Sequence, residues 1–211
     1  MPKTSATARA RRIKLILFDV DGVLTDGKIW IFPAPSGGQE SGAQQTVLGP
    51  PAQHGGQGGF GLHSTSLIEA KGFHAHDGTA IMLARLAGIK TGIITKRISE
   101  TVALRARDLK IDHVYQGVQD KALVFAQILE RDGITAAEAA FVGDDVIDLP
   151  AMRKCGLAIA VKNARPEVKG EAHWVTAHAG GDGAARDAVE YILKAQGKWK
   201  QAVEEYISER S

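Results

Sequence analysis

The chain has 211 residues, 44% of them hydrophobic and 24% charged, the composition of an ordinary globular protein with one sizeable core. A formal net charge of +2 is too small to argue for nucleic acid or an anionic membrane surface as partner. Cys155 is the only cysteine, which excludes an intramolecular disulfide and suits a reducing compartment, and no apolar run approaches the roughly 20 residues that span a bilayer. A soluble, cytoplasmic protein is expected.

Residues 1–12 are small and basic without an apolar segment, and read as a disordered arm rather than a signal peptide. Residues 13–18 are a short apolar run with hydrophobic residues in both alternating sets, the pattern of a strand buried on both faces of a parallel sheet. The run ends on Asp19-Val20-Asp21-Gly22. Ligands of open α/β sheets bind beyond the carboxyl ends of strands, and two crowded carboxylates repel unless a proton or cation lies between them. Oxygen ligands at that spacing suit Mg²⁺. An acidic turn without chemistry is the bland alternative. A calcium loop is a poor one, because the Glu it needs twelve positions from its start is replaced by Trp30.

Residues 28–32 read as a second strand. The segment 33–61 that follows holds nine of the 24 glycines and four of the seven prolines, too little apolar surface to offset ordering entropy. It reads as a mobile insertion at a hairpin tip, passive or a cover for a site, with the return strand over 66–73. From residue 77 onward helices and strands alternate: helices over 79–87, 99–109, 120–132, 149–154 and 187–194, strands over 90–95, 111–115, 139–142, 157–161 and 173–175. A polar helical tail covers 196–211. Such alternation with short links predicts a doubly wound, Rossmann-like parallel sheet, with a small β-hairpin flap and no separate cap domain.

The strand ends carry polar groups in chain order: Asp19 and Asp21, then Thr95, then Lys121 at the start of a helix, then Asp144 and Asp145 with Asp148 a turn later. In a parallel sheet these converge on one edge. Singly, each has an ordinary explanation: Thr95 as a helix cap, Lys121 as a solvated lysine, Asp144 to Asp148 as helix-capping acids. Together they suit phosphoryl transfer, with a carboxylate nucleophile, a cation, a hydroxyl and an ammonium on the phosphoryl oxygens, and a second carboxylate moving the proton.

These motifs resemble the haloacid dehalogenase superfamily of phosphatases over residues 13–192. Within it the chain is similar to the small capless branch typified by 3-deoxy-D-manno-octulosonate 8-phosphate phosphatase, through Val23-Leu24-Thr25-Asp26-Gly27, Tyr115-Gln116-Gly117, the run 142–150 and the run 179–186. The resemblance implies Asp19 as nucleophile and metal ligand, and Asp21 as general acid/base binding Mg²⁺ through its carbonyl. It implies Asp144 as third ligand, Asp145 and Asp148 as supports, and Thr95 and Lys121 as phosphate-binding residues. It further implies a phosphatase domain over 13–195, a sugar-acid phosphate substrate contacted by Arg97 and Arg105, a role in lipopolysaccharide biosynthesis, and a homotetramer whose hairpin covers a neighbour's site. The family's Phe-Asn-x-Arg-Asp-Gly is here Phe73-His74-Ala75-His76-Asp77-Gly78, Met82 replaces a later Arg, and Lys96-Arg97 replaces Gly-Arg. His74, His76 and Asp77 are therefore expected to face the substrate. A nonulosonate 9-phosphate is an alternative substrate, and a catalytically silent assembly module is the alternative of another class.

Overall fold

The first buried strand is β1, Leu15–Phe18, all four residues of it enclosed in the computed structural model, which describes residues 5–33 and 67–208. Two strands, β2 (Trp30–Pro33) and β3 (Leu67–Ala70), pair antiparallel with each other as a separate ribbon. The rest of the sheet is β4 (Lys90–Ile94), β5 (His113–Tyr115), β6 (Ala139–Gly143), β7 (Leu157–Ala160) and β8 (Trp174–Val175). The order is β5-β4-β1-β6-β7-β8, parallel throughout. Strand order reverses at β1, whose Phe18 lies level with Ile93 of β4 and Val142 of β6. The crevice at such a reversal is where this architecture binds ligands.

Helices cover the sheet in two packed groups. One joins α1 (Ala6–Ala10), α2 (Ala75–Leu86), α7 (Ala184–Ala195) and α8 (Trp199–Ser208); in the other, α4 (Lys121–Asp132) packs on α5 (Leu149–Met152). Helices α3 (Glu100–Asp108) and α6 (Pro166–Glu171) complete the fold. Burial of aliphatic residues on the helix faces and on all four positions of β1 and β7 builds one continuous core, the dominant stabilising term.

Several sequence expectations are corrected. Residues 1–12 are not a disordered arm throughout: Ser5 Oγ accepts the Ala8 N–H, opening α1, and Ala10 is fully buried. Composition hid the combination of an N-cap with strong helix formers. Helix α2 starts at Ala75 rather than 79, so His76 and Asp77 lie in its first turn. A short helix, α6, with Pro166 in its first turn, lies between β7 and β8, where the sequence pattern predicts no element. The expected helical tail forms, and it is packed: Ala202 is buried, and the Arg186 guanidinium lies 4.7 Å from the Trp199 ring centre. The insertion expected over 33–61 lies outside the described residues, apart from Pro33 at the end of β2.

Helix α4 carries a strong N-cap, Asp120 Oδ1 accepting the N–H groups of Ala122 (2.9 Å) and Leu123 (3.0 Å). Asp120→Ala should lower the unfolding free energy by about 1 kcal/mol, seen as a lower urea midpoint at unchanged slope.

Candidate active site

Two strand ends and one helix start build a carboxylate cluster around a single ammonium. Asp19 follows β1 and is buried, its N–H donating to the Val142 carbonyl at 3.0 Å. Lys121 opens α4, and its buried Nζ lies 2.8 Å from Asp19 Oδ1 and 2.6 Å from Asp148 Oδ1. Burial opposes the lysine's charge, yet the two carboxylates outweigh it and hold the pKa above the ordinary lysine value. Asp148 is wholly buried, and its second oxygen accepts the N–H groups of Asp144 (3.0 Å) and Asp145 (3.3 Å). Both oxygens of Asp148 are thus occupied, which makes it a brace for Lys121 and for the turn after β6.

Asp144 has no such partner: its Oδ1 is buried without a hydrogen bond. Burial, followed by the charges of Asp19, Asp148 and Asp145, pushes its carboxyl up to about 7. Asp19 is also raised to about 7, by burial and by Asp148 against the opposing pull of Lys121. Ligand atoms of Asp19, Asp144 and Asp148 lie within 4.8 Å of one another. Three carboxylates against one ammonium leave a formal excess of two negative charges, which one divalent cation would balance. The backbone is shaped to this crowding. Gly22 has φ +89°, and a Cβ there would fall 2.2 Å from Asp144 Oδ2; one on Gly143 would fall 2.6 Å from Asp148 Oδ2. Asp145 is peripheral, exposed, and caps the turn that follows by accepting the Val146 N–H at 2.7 Å. Thr95 is buried directly after β4, the strand beside β1.

Asp21 belongs to a second network. Its Oδ1 accepts a hydrogen bond from Lys71 Nζ, and its Oδ2 lies 3.7 Å from Arg97 Nε. Glu69 lies 3.7 Å from Lys71 and pairs with Arg97 Nη2 at 3.0 Å. Burial raises the Glu69 pKa, but the neighbouring Ser99 hydroxyl, the hydrogen bond from Arg97 and the charge of Lys71 overcome this and lower it. His74 and Arg105 line a separate cavity with Leu24, Phe73 and Gly78, and His74 Nδ1 and Arg105 Nε are both buried without hydrogen-bond partners. His76 meets His74 edge to face at 4.9 Å between ring centres. Asp77 also borders this cavity, but its carboxylate is committed elsewhere, accepting the N–H groups of Arg186 (2.8 Å) and Gly183 (3.3 Å) at the start of α7. Asp77 thus caps the start of α7 while bordering the cavity.

A family model described as haloacid dehalogenase-like hydrolase matches residues 88–186. The 3-deoxy-D-manno-octulosonate 8-phosphate phosphatase KdsC of Escherichia coli K12 is 36% identical over 195 residues, covering 92% of this chain and 87% of the relative. The chain is a member of the haloacid dehalogenase-like hydrolases. A crystal structure of 3-deoxy-D-manno-octulosonate 8-phosphate phosphatase from Moraxella catarrhalis, in complex with magnesium ion, phosphate ion and KDO, is similar with a TM-score of 0.76. It is 30% identical, with 95% of this chain and 97% of that one covered. The corresponding phosphatase from Yersinia pestis gives a TM-score of 0.74 at 33% identity, covering 92% and 88%.

In this haloacid dehalogenase-like hydrolase Lys71, Glu69 and Asn163 also brace the surroundings of the acidic turn, outside the four sequence motifs. Lys71 and Glu69 are two residues apart, so the strand period places them on one face, a visible signal amid Leu67 and Ile68. Asn163 accepts the Gly180 N–H at 2.7 Å and donates to the Gly22 carbonyl at 3.5 Å, tying the 179–183 loop to the acidic turn. Nothing in its sequence context marks it.

A carboxyl whose pKa rises from 3.8 to about 7 on folding binds its proton more tightly in the folded state. For Asp19 and Asp144, the metal-free fold should therefore lose stability as pH climbs from about 4 to about 7. Mg²⁺ should then raise the melting temperature clearly at pH 8 and little at pH 5, where protons compete for the same oxygens. Differential scanning fluorimetry with and without Mg²⁺ at the two pH values checks this.

Proposed function

We propose that this chain is a Mg²⁺-dependent phosphomonoester hydrolase that works through an aspartyl-phosphate on Asp19, with 3-deoxy-D-manno-octulosonate 8-phosphate as substrate. The observation that carries the reading is the pairing of buried Asp19 with Lys121 at 2.8 Å, beside the unpartnered Asp144 oxygen. That unpartnered oxygen and the excess negative charge are what a bound cation would satisfy. Asp19 and Asp144, with the Asp21 carbonyl, would hold Mg²⁺, which when bound supplies neutralisation of the transferring phosphoryl group. The identities of 36% to KdsC and the Moraxella catarrhalis complex with magnesium, phosphate and KDO support the metal and the substrate class.

In the proposed reaction an Asp19 oxygen attacks phosphorus as the bond to the sugar oxygen breaks. Asp21 gives that oxygen its proton. Water then attacks the aspartyl-phosphate, Asp21 takes its proton, and phosphate leaves with Asp19 restored. Lys121 and Thr95 hold the phosphoryl oxygens while charge redistributes. Asp148 and Asp145 keep Lys121 and the turn after β6 in place. Arg97 and the cavity of His74 and Arg105 would receive the sugar acid, with His76 behind His74. The histidines stand where the family has Asn and Arg, which alters the expected substrate contacts; a nonulosonate 9-phosphate is the second reading. A silent module is disfavoured because every motif residue is present.

The hairpin supports an assembly. Trp30, Ile31, Phe32, Leu67 and Ile68 are exposed large hydrophobics on one small ribbon, and a two-stranded ribbon is marginal in water alone. Its proposed occupant is a second copy of this chain in a homotetramer, with the ribbon covering the neighbour's active site. A cytoplasmic location fits the lone cysteine; among the described residues no helix is long and apolar enough to cross a membrane.

Purified protein should release phosphate from 3-deoxy-D-manno-octulosonate 8-phosphate in preference to other sugar phosphates in a panel. EDTA should abolish turnover and Mg²⁺ restore it, while Asp19→Asn should lower kcat by at least ~10³-fold. Near-normal turnover in a folded Asp19→Asn protein would refute the nucleophile. Preference for a nonulosonate 9-phosphate would favour the second reading.

A further inference from the structure

We propose that Lys71 is a positioning residue for Asp21, fixing the carboxylate that protonates the leaving oxygen. The proposal rests on the general-acid reading of Asp21 given above.

Lys71 follows β3 directly, and its side chain is 0% exposed. A buried ammonium is costly unless it is paired, and the hairpin base provides two carboxylates. Asp21 Oδ1 takes the hydrogen bond, and Glu69 Oε1 lies 3.7 Å away on the other side. Glu69 is itself held by Arg97 Nη2 at 3.0 Å, and its carbonyl accepts from Thr101 Oγ1 at 3.5 Å. The lysine is therefore clamped from behind, by groups on β3 and around the start of α3. Among the described residues Lys71 is the one donor within hydrogen-bonding distance of the Asp21 carboxylate, since Arg97 Nε stands 3.7 Å from Oδ2. One Asp21 oxygen is anchored and the other is left for proton transfer. A general acid must lie within hydrogen-bond reach of the atom it protonates, so a carboxylate freed to rotate loses effectiveness without any change at Asp19.

A merely structural ion pair would slow all substrates alike. A positioning residue would slow those whose leaving group needs the proton. Phenyl phosphate and p-nitrophenyl phosphate separate the two, being alike in size and lacking the sugar, while nitrophenolate departs with little need of a proton. The parameter to compare is kcat/KM, which covers the steps up to transfer onto Asp19 and omits the later hydrolysis that both substrates share.

In Lys71→Met the value for phenyl phosphate should fall at least ~10-fold further than that for p-nitrophenyl phosphate, with Asp21→Asn showing the same split or a larger one. If Asp21→Asn shows the split and Lys71→Met lowers both substrates equally, or neither, the positioning role is overturned while the reading of Asp21 stands. If Asp21→Asn shows no split, the general-acid reading fails and the proposal fails with it. Should Lys71→Met not fold, Lys71→Gln is measured against the same criteria.

Discussion

The ammonium of Lys121 between Asp19 and Asp148 is the interaction on which the site depends. It lies 2.8 Å and 2.6 Å from the two carboxylates, in surroundings where an unpaired charge would be strongly destabilising. It ties the end of β1 to the start of α4 and to the turn after β6. Asp148 passes the constraint on, since its other oxygen orders the backbone of Asp144 and Asp145. Asp144 is thereby held against Asp19 with one oxygen unsatisfied. A cluster with this charge imbalance is poised for a divalent cation and a phosphoryl group, and it costs stability when empty at neutral pH.

A second layer sits at the hairpin base and is close to electroneutral. Asp21 and Glu69 are matched by Lys71 and Arg97. The strands beyond it turn apolar side chains to solvent, whereas β1, β6 and β7 are buried along their whole length. The sheet end is therefore the buried, fixed part, whereas among the described residues the ribbon carries exposed apolar side chains. In the proposed assembly the covering subunit would exclude bulk water from an acyl-phosphate, which an open sheet edge cannot do alone.

Most of the fold was legible because local chemistry and burial agree. Apolar runs ending on Asp19, Thr95 and Gly143 marked the central strands, and Asp120 announced α4 by the residue type that caps helices. The catalytic edge followed from topology, since parallel strands bring their carboxyl ends together. What was not legible depends on tertiary partners. The capping role of Asp77 is one example, since the Gly183 and Arg186 N–H groups that it accepts lie more than a hundred residues later. The first residues looked featureless because small, basic composition hides an Ala-rich helix whose burial comes from packing on α7 and β7. The 196–211 segment read as a polar helical tail, and its packing was hidden because the cation–π contact of Trp199 with Arg186 joins different helices.

The most direct test is to find where the phosphoryl group resides during turnover. Enzyme mixed with excess 3-deoxy-D-manno-octulosonate 8-phosphate and Mg²⁺, quenched in acid and digested, can be mapped by mass spectrometry. Phosphorylation on the peptide containing Asp19, absent from Asp19→Asn and from enzyme kept in EDTA, is the expected result. A phosphoryl group on another residue would contradict the central claim, as would steady turnover with no acyl-phosphate at any quench time.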